Sequence, residues 1–137
     1  MSVVMRLRRT QSGLVGKMIV IWLLLVAVIG VATIDTVSIA FTKFRTTDIA
    51  SNAASTAANT WRDTEDEQKA CDAARARVAA DDDGAQVTKH GCVVNEATGE
   101  VTITVRKEAA TLVAGRLPWT KKLARPEGVE TSGPTVL

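Results

Sequence analysis

Met18-IVIWLLLVAVIGVAT-Ile34 is the stretch on which the reading of this chain turns, because no charge interrupts it and only Thr33 is appreciably polar. Its 17 residues, at about 1.5 Å each, cover roughly 26 Å as a helix, close to the hydrocarbon thickness of a bilayer. A segment in lipid must satisfy its own backbone hydrogen bonds, so a single run of this kind has to be helical. Trp22 lies near the N-terminal boundary, where an indole is favoured, and Lys17 sits where its ammonium reaches the headgroups.

Upstream of the run, Arg6, Arg8, Arg9 and Lys17 stand without an acidic residue among them. That asymmetry predicts a cytoplasmic N-terminus and an extracytoplasmic remainder, in a cell membrane crossed once. A cleaved secretory signal is the competing reading, since Ser38-Ile39-Ala40 has a small-x-small pattern behind a basic N-region. The apolar run is longer than a usual signal core, and neither Pro nor Gly breaks the helix before that point, so the anchor is preferred.

Downstream, residues 35–62 contain no Pro and no Gly, and the helix is expected to continue into water. Ala50, Ala53, Ala54, Ala57, Ala58 and Trp61 recur at helical spacing, while Ser51, Asn52, Ser55, Thr56, Asn59 and Arg62 occupy the other side. An alanine face lets another backbone approach closely, and Trp61 closes it as a large anchor. Two partners fit such a face: the protein's own sheet, or neighbouring copies of the chain.

Asp63-Thr64-Glu65-Asp66-Glu67 suits the first turn of a second helix, where negative charge complements the helix dipole. That helix is expected to reach about Ala80, with Ala70, Cys71, Ala74 and Val78 inward, and to end at Asp81-Asp82-Asp83-Gly84. The three aspartates lack the alternation and downstream Glu of an EF-hand and read as a solvated acidic turn. Residues 86–95 and 100–107 are strand candidates; Val101, Ile103 and Val105 alternate strictly with Thr102, Thr104 and Arg106. Asn95-Glu96-Ala97-Thr98-Gly99 joins them as a turn, so an antiparallel hairpin is expected. Residues 109–117 read as a short helix stopped by Pro118, and the end of the chain as a loose tail. The expected layout is therefore a basic tail (1–17), a transmembrane helix (18–34), its extracytoplasmic continuation (35–62), a small α+β domain (63–117) and a flexible tail (118–137).

Cys71 and Cys92, the two cysteines of the 137-residue chain, fall on the helix and the adjoining strand of the extracytoplasmic part. An oxidising compartment favours their pairing, and closing that loop would stabilise by about 3 kcal/mol in the chain-entropy model. Two separate buried thiols are the alternative. A redox role finds no Cys-x-x-Cys, and a metal site would have only His90 to join the cysteines. No cofactor is expected.

Catalytic patterns fail on inspection. Gly13-Leu14-Val15-Gly16-Lys17 approaches a phosphate loop but lacks its first glycine and carries Met18 in place of Ser or Thr. His90 has no nucleophile motif around it, and the chain has no Tyr. Net charge is only +2. Arg106, Lys107, Arg116, Lys121, Lys122 and Arg125 form a basic stretch with one interleaved aromatic, Trp119. It reads as a solvated face or a contact for anionic lipid, wall polymer or a small ligand, with no nucleic acid expected. The chain reads as non-enzymatic.

The order of these features resembles a known family. A basic N-terminus, one membrane helix, Ile34-Asp35-Thr36-Val37 at its end, Lys43-Phe44-Arg45, and Ala50, Ala53-Ala54 and Ala57-Ala58 beyond are similar to TadE/TadG-like proteins. Gly99-Glu100-Val101-Thr102-Ile103-Thr104-Val105 and Leu112-Val113-Ala114-Gly115 resemble the later part of that family. The resemblance implies a pilin-like fold and an accessory or minor-pilin-like role in tight-adherence (Flp-type) pilus assembly. Cutting after Gly13 or Gly16 would place Met18 or Ile21 where processed prepilins carry Glu, which favours an anchored member over a filament subunit.

Overall fold

A computed structural model describes residues 2–133, with side chains from residue 13 onward. Over the described residues the chain is α+β, with two helices, α1 (Ser2–Thr64) and α2 (Glu67–Asp81), and three strands, β1 (Ala85–Asn95), β2 (Glu100–Lys107) and β3 (Glu127–Ser132). It divides into two compact units at Ile34/Asp35. The first consists of the N-terminal part of α1, whose large apolar side chains from Leu14 to Ile29 are bare; Trp22, for example, is 70% exposed. It is the one helix among the described residues long and apolar enough to cross a membrane, as a single-pass protein requires. Lys17 is exposed at its near end, while the side chains of Arg6, Arg8 and Arg9 lie outside the described residues.

The second unit begins at Asp35 and packs the rest of α1, α2 and the sheet around one core. Ala50, Ala53, Ala54, Ala57 and Ala58 are all 0% exposed and share that core with Val78, Val101, Ile103 and Val105. Trp61 is half-buried against it. The alanine face therefore packs on the protein's own sheet and second helix, and none of its five alanines is left for a neighbouring molecule.

α1 ends where Glu65 takes a left-handed conformation (φ 50°) and its N–H reaches back to the Trp61 carbonyl at 2.7 Å. The acidic run does begin a second helix, but only from Glu67. Asp66 is its N-cap, accepting the Lys69 N–H at 3.1 Å. Ala70, Cys71, Ala74 and Val78 are the buried residues of α2, at the inward positions their spacing predicts.

The strands form one antiparallel sheet in the order β1-β2-β3. The hairpin is closed by a turn in which Asn95 accepts N–H groups from Ala97, Thr98 and Gly99, and Gly99 takes φ 72°, open to glycine without penalty. Register slips between Val87, opposite Val105, and Cys92, opposite Ile103, so residues 88–91 bulge from the ladder.

Two expectations are corrected. The C-terminal segment is not a loose tail as a whole, because β3 pairs along β2 from Val101↔Ser132 to Arg106↔Glu127. Its physical basis is the free backbone edge of β2, with Gly128 allowing the strand to lie directly on α1; residues 134–137 of the expected tail lie outside the described residues. Residues 109–117 do not form a helix either. The N–H groups of residues 112–115 are taken by side chains in place of carbonyls four residues back, as described next, and those of Ala109 and Arg116 go to the carbonyls of Ala124 and Val113.

Candidate functional site

The carboxylate that gathers the most backbone N–H groups among the described residues is that of Asp35, the residue that follows the apolar run. Its carboxylate accepts three consecutive backbone N–H groups, from Leu112 at 2.6 Å, Val113 at 3.0 Å and Ala114 at 2.9 Å. Only 6% of the residue is exposed. The Leu112 and Ala114 N–H bonds, and then that of Val113, outweigh burial and hold its carboxyl below the usual carboxylate range. One turn further along α1, the Ser38 hydroxyl donates to the Ala110 carbonyl at 2.6 Å. The Gly115 N–H goes to the Thr111 hydroxyl, and the Thr120 hydroxyl returns to the Ala114 carbonyl. Together these bonds fold residues 109–125 into a compact series of turns held on the start of the unit.

That loop places apolar and cationic side chains in water. Trp119 is 78% exposed, and Leu112 and Leu123 are more than half exposed. Arg116, Lys121 and Lys122 are exposed, and no ion pair among the described residues includes them. The other cations of the basic stretch behave differently. Arg106 pairs with Glu127, Lys107 with Asp82, and Arg125 lies 3.7 Å from Glu108. The stretch is thus split by the fold: Arg106 and Lys107 on β2 and Arg125 at the end of the loop are paired, while Arg116, Lys121 and Lys122 within the loop are in no ion pair among the described residues.

Asp82 corrects the reading of the acidic turn as simply solvated. It is the C-cap of α2, and its side chain is 11% exposed. Its carboxylate takes Lys107, the Gly84 N–H at 2.9 Å and Arg45 of α1 at 3.2 Å. Lys107 first, then the Gly84 N–H and Arg45, draw its carboxyl below the ordinary range against the effect of burial. Asp81 faces Asn52 and Arg77, while Asp83 is exposed. The three aspartates therefore do different things, one of them tying α1, α2 and β2 together.

The cysteines meet as expected: Cys71 of α2 and Cys92 of β1 form a disulfide with a Cα–Cα distance of 5.9 Å. His90 lies exposed on the β1 bulge, in an open groove with Lys89, Arg106, Arg125 and Glu127 and no cysteine. Among the described residues no three His, Cys, Asp or Glu side chains gather where they could hold a metal ion.

Asp35 was visible in the sequence only as an acid ending an apolar run. No base stands three or four residues from it to pair with, which in the sequence left solvent and a non-local partner equally open. A further feature went unread on α1. Val37, Phe41 and Phe44 fall on one helical face, opposite Asp35, Thr42, Thr46 and Ala53, and all three are exposed, Phe44 by 74%. Compared with known proteins, the chain matches no family model, no curated protein and no solved structure.

Proposed function

We propose that the chain is a non-enzymatic single-pass membrane protein, N-terminus inside, that serves as an accessory or minor-pilin-like component of a pilus or secretion-type envelope assembly. The observation that carries this reading is the distribution of side chains on α1. The helix hides its small residues in its own core and leaves Val37, Phe41 and Phe44 bare on the other side. An exposed apolar stripe that follows a membrane-spanning run along the same helix is suited to another apolar helix. A long alanine-rich helix followed by a small strand-containing domain is also what the TadE/TadG-like resemblance implies. The disulfide supports an extracytoplasmic location for the C-terminal unit.

The partner on this reading is a helix of another assembly subunit or of a second copy. A photoreactive residue at position 44 should crosslink to an apolar helical peptide of such a partner in intact membranes. Phe41→Ser/Phe44→Ser should abolish that assembly while membrane insertion and the disulfide persist. Crosslinks to lipid alone, with assembly undisturbed in the double variant, would overturn the proposal.

The alternative, an anchored domain binding anionic polymer, lipid or a small ligand through the whole stretch from Arg106 to Arg125, has less support. Half of its cations are already neutralised within the fold.

A further inference from the structure

The loop held by Asp35 combines features that the assembly role leaves unused. Leu112, Trp119 and Leu123 project from it with no core beneath them, and Arg116, Lys121 and Lys122 stand beside them without ion-pair partners among the described residues. From Ala109 to Pro126 there is no acidic residue. Arg106 and Lys107 are paired on the sheet and Arg125 with Glu108 at the loop's ends, so the unpaired cations fall in the same stretch as the exposed apolar side chains. Such a surface, apolar with a cationic fringe, is complementary to a headgroup region carrying negative charge.

The covalent chain fixes where that surface lies. Asp35 is the residue after Ile34, the last of the apolar run, and its carboxylate touches the N–H groups of Leu112, Val113 and Ala114. Given that the run spans a bilayer, which the preceding reading assumes, the loop is held one residue beyond the hydrocarbon. Trp119, five residues beyond Ala114, is 78% exposed, and an exposed indole is a side chain favoured at a membrane interface. The Asp35 carboxylate keeps its charge but only 6% of the residue is exposed, so the charges this loop presents to solvent are those of the cations.

We infer that residues 112–123 form a membrane-interface contact, with Leu112, Trp119 and Leu123 inserted among the headgroups and Arg116, Lys121 and Lys122 bound to anionic lipid of the leaflet into which the helix emerges.

The test uses the full chain in nanodiscs of phosphatidylcholine, with and without phosphatidylglycerol, and with lipids brominated on the acyl chain near the headgroup. The Trp119 contribution to fluorescence is the difference between the wild type and Trp119→Phe. The expected result is that this contribution loses most of its intensity to brominated lipid, shifts to shorter wavelength when phosphatidylglycerol is present, and is shielded from aqueous acrylamide. In Arg116→Gln/Lys121→Gln/Lys122→Gln the dependence on phosphatidylglycerol should vanish. Quenching by acrylamide but not by bromine would put the loop in water and overturn the inference. Shielding from both quenchers would mean a protein covers it, with the same consequence, and so would quenching indifferent to phosphatidylglycerol. Trp22, read by the same difference against Trp22→Phe, separates the two levels of the argument. If lipid does not quench Trp22, the spanning helix fails; if it quenches Trp22 and not Trp119, only the loop contact fails.

Discussion

Asp35 carries three backbone hydrogen bonds that no other described carboxylate matches, and its chemistry makes them sensitive to acid. Its carboxyl is held below the usual range by those N–H groups, and that of Asp82 by Lys107, Gly84 and Arg45. In the unfolded chain both return to about 3.9. Between the native and unfolded values the unfolded state binds more protons, so stability falls as pH falls. The contribution of these groups is complete above about pH 5 and is lost as pH drops through the depressed native values. Asp35→Asn keeps one acceptor but turns an amide N–H₂ toward N–H donors and removes the charge. The variant should be less stable than the wild type at pH 7 and should show a shallower acid limb when unfolding of the full chain in detergent is followed from neutral to acid pH. An acid limb identical to the wild type would mean the carboxylate charge is not what holds the loop.

Among the elements, β3 shows most clearly what pattern reading misses. The hairpin was legible because Val101, Ile103 and Val105 alternate with polar residues and all three are buried. In β3, Glu127-Gly128-Val129-Glu130-Thr131-Ser132, the single large apolar residue is Val129, and it points to solvent. The inward position is Gly128, where a Cβ would lie 2.6 Å from the carbonyl carbon and oxygen of Thr46 and from the Thr47 nitrogen. The strand is thus specified by a hydrogen-bonding edge and by the absence of a side chain, neither of which has a hydrophobic period. Residues 109–117 misled for the converse reason. Their composition suits a helix, but a carboxylate 77 residues away from Leu112 takes the N–H groups a helix would need. Gly128→Ala should therefore cost about 1–3 kcal/mol by overpacking against backbone that cannot swing aside. It should also remove hydrogen-exchange protection across β3. Val129→Ala, at an exposed position of the same strand, should stay within about 0.5 kcal/mol of the wild type. Equal effects of the two substitutions would show that β3 does not lie on α1 as described.

At the scale of the molecule, the alanine face has a cost that the disulfide offsets. Small residues let α1, α2 and the sheet approach closely, yet they bury little apolar area each. The largest fully buried side chains are Ile103, Val78, Val101, Val105 and Thr46, with no aromatic ring among them. A unit of this size with such a core is expected to be marginal, and small domains commonly add a covalent staple. The Cys71–Cys92 bridge joins α2 to β1 across a sequence separation of 21. In the chain-entropy model it contributes about 3 kcal/mol, a large share of the 5–15 kcal/mol typical of folded domains. Reduction, or Cys71→Ser/Cys92→Ser, should lower the stability of the full chain in detergent by about that amount in urea titrations followed by circular dichroism. The helical signal of the apolar part of α1 should survive the transition, because detergent protects it independently of the sheet. A loss below about 1 kcal/mol would show that close packing of the alanines suffices without the bridge. A loss near the expected value would mean that the C-terminal unit holds its fold securely only where the disulfide can form, which ties its stability to the oxidising side of the membrane.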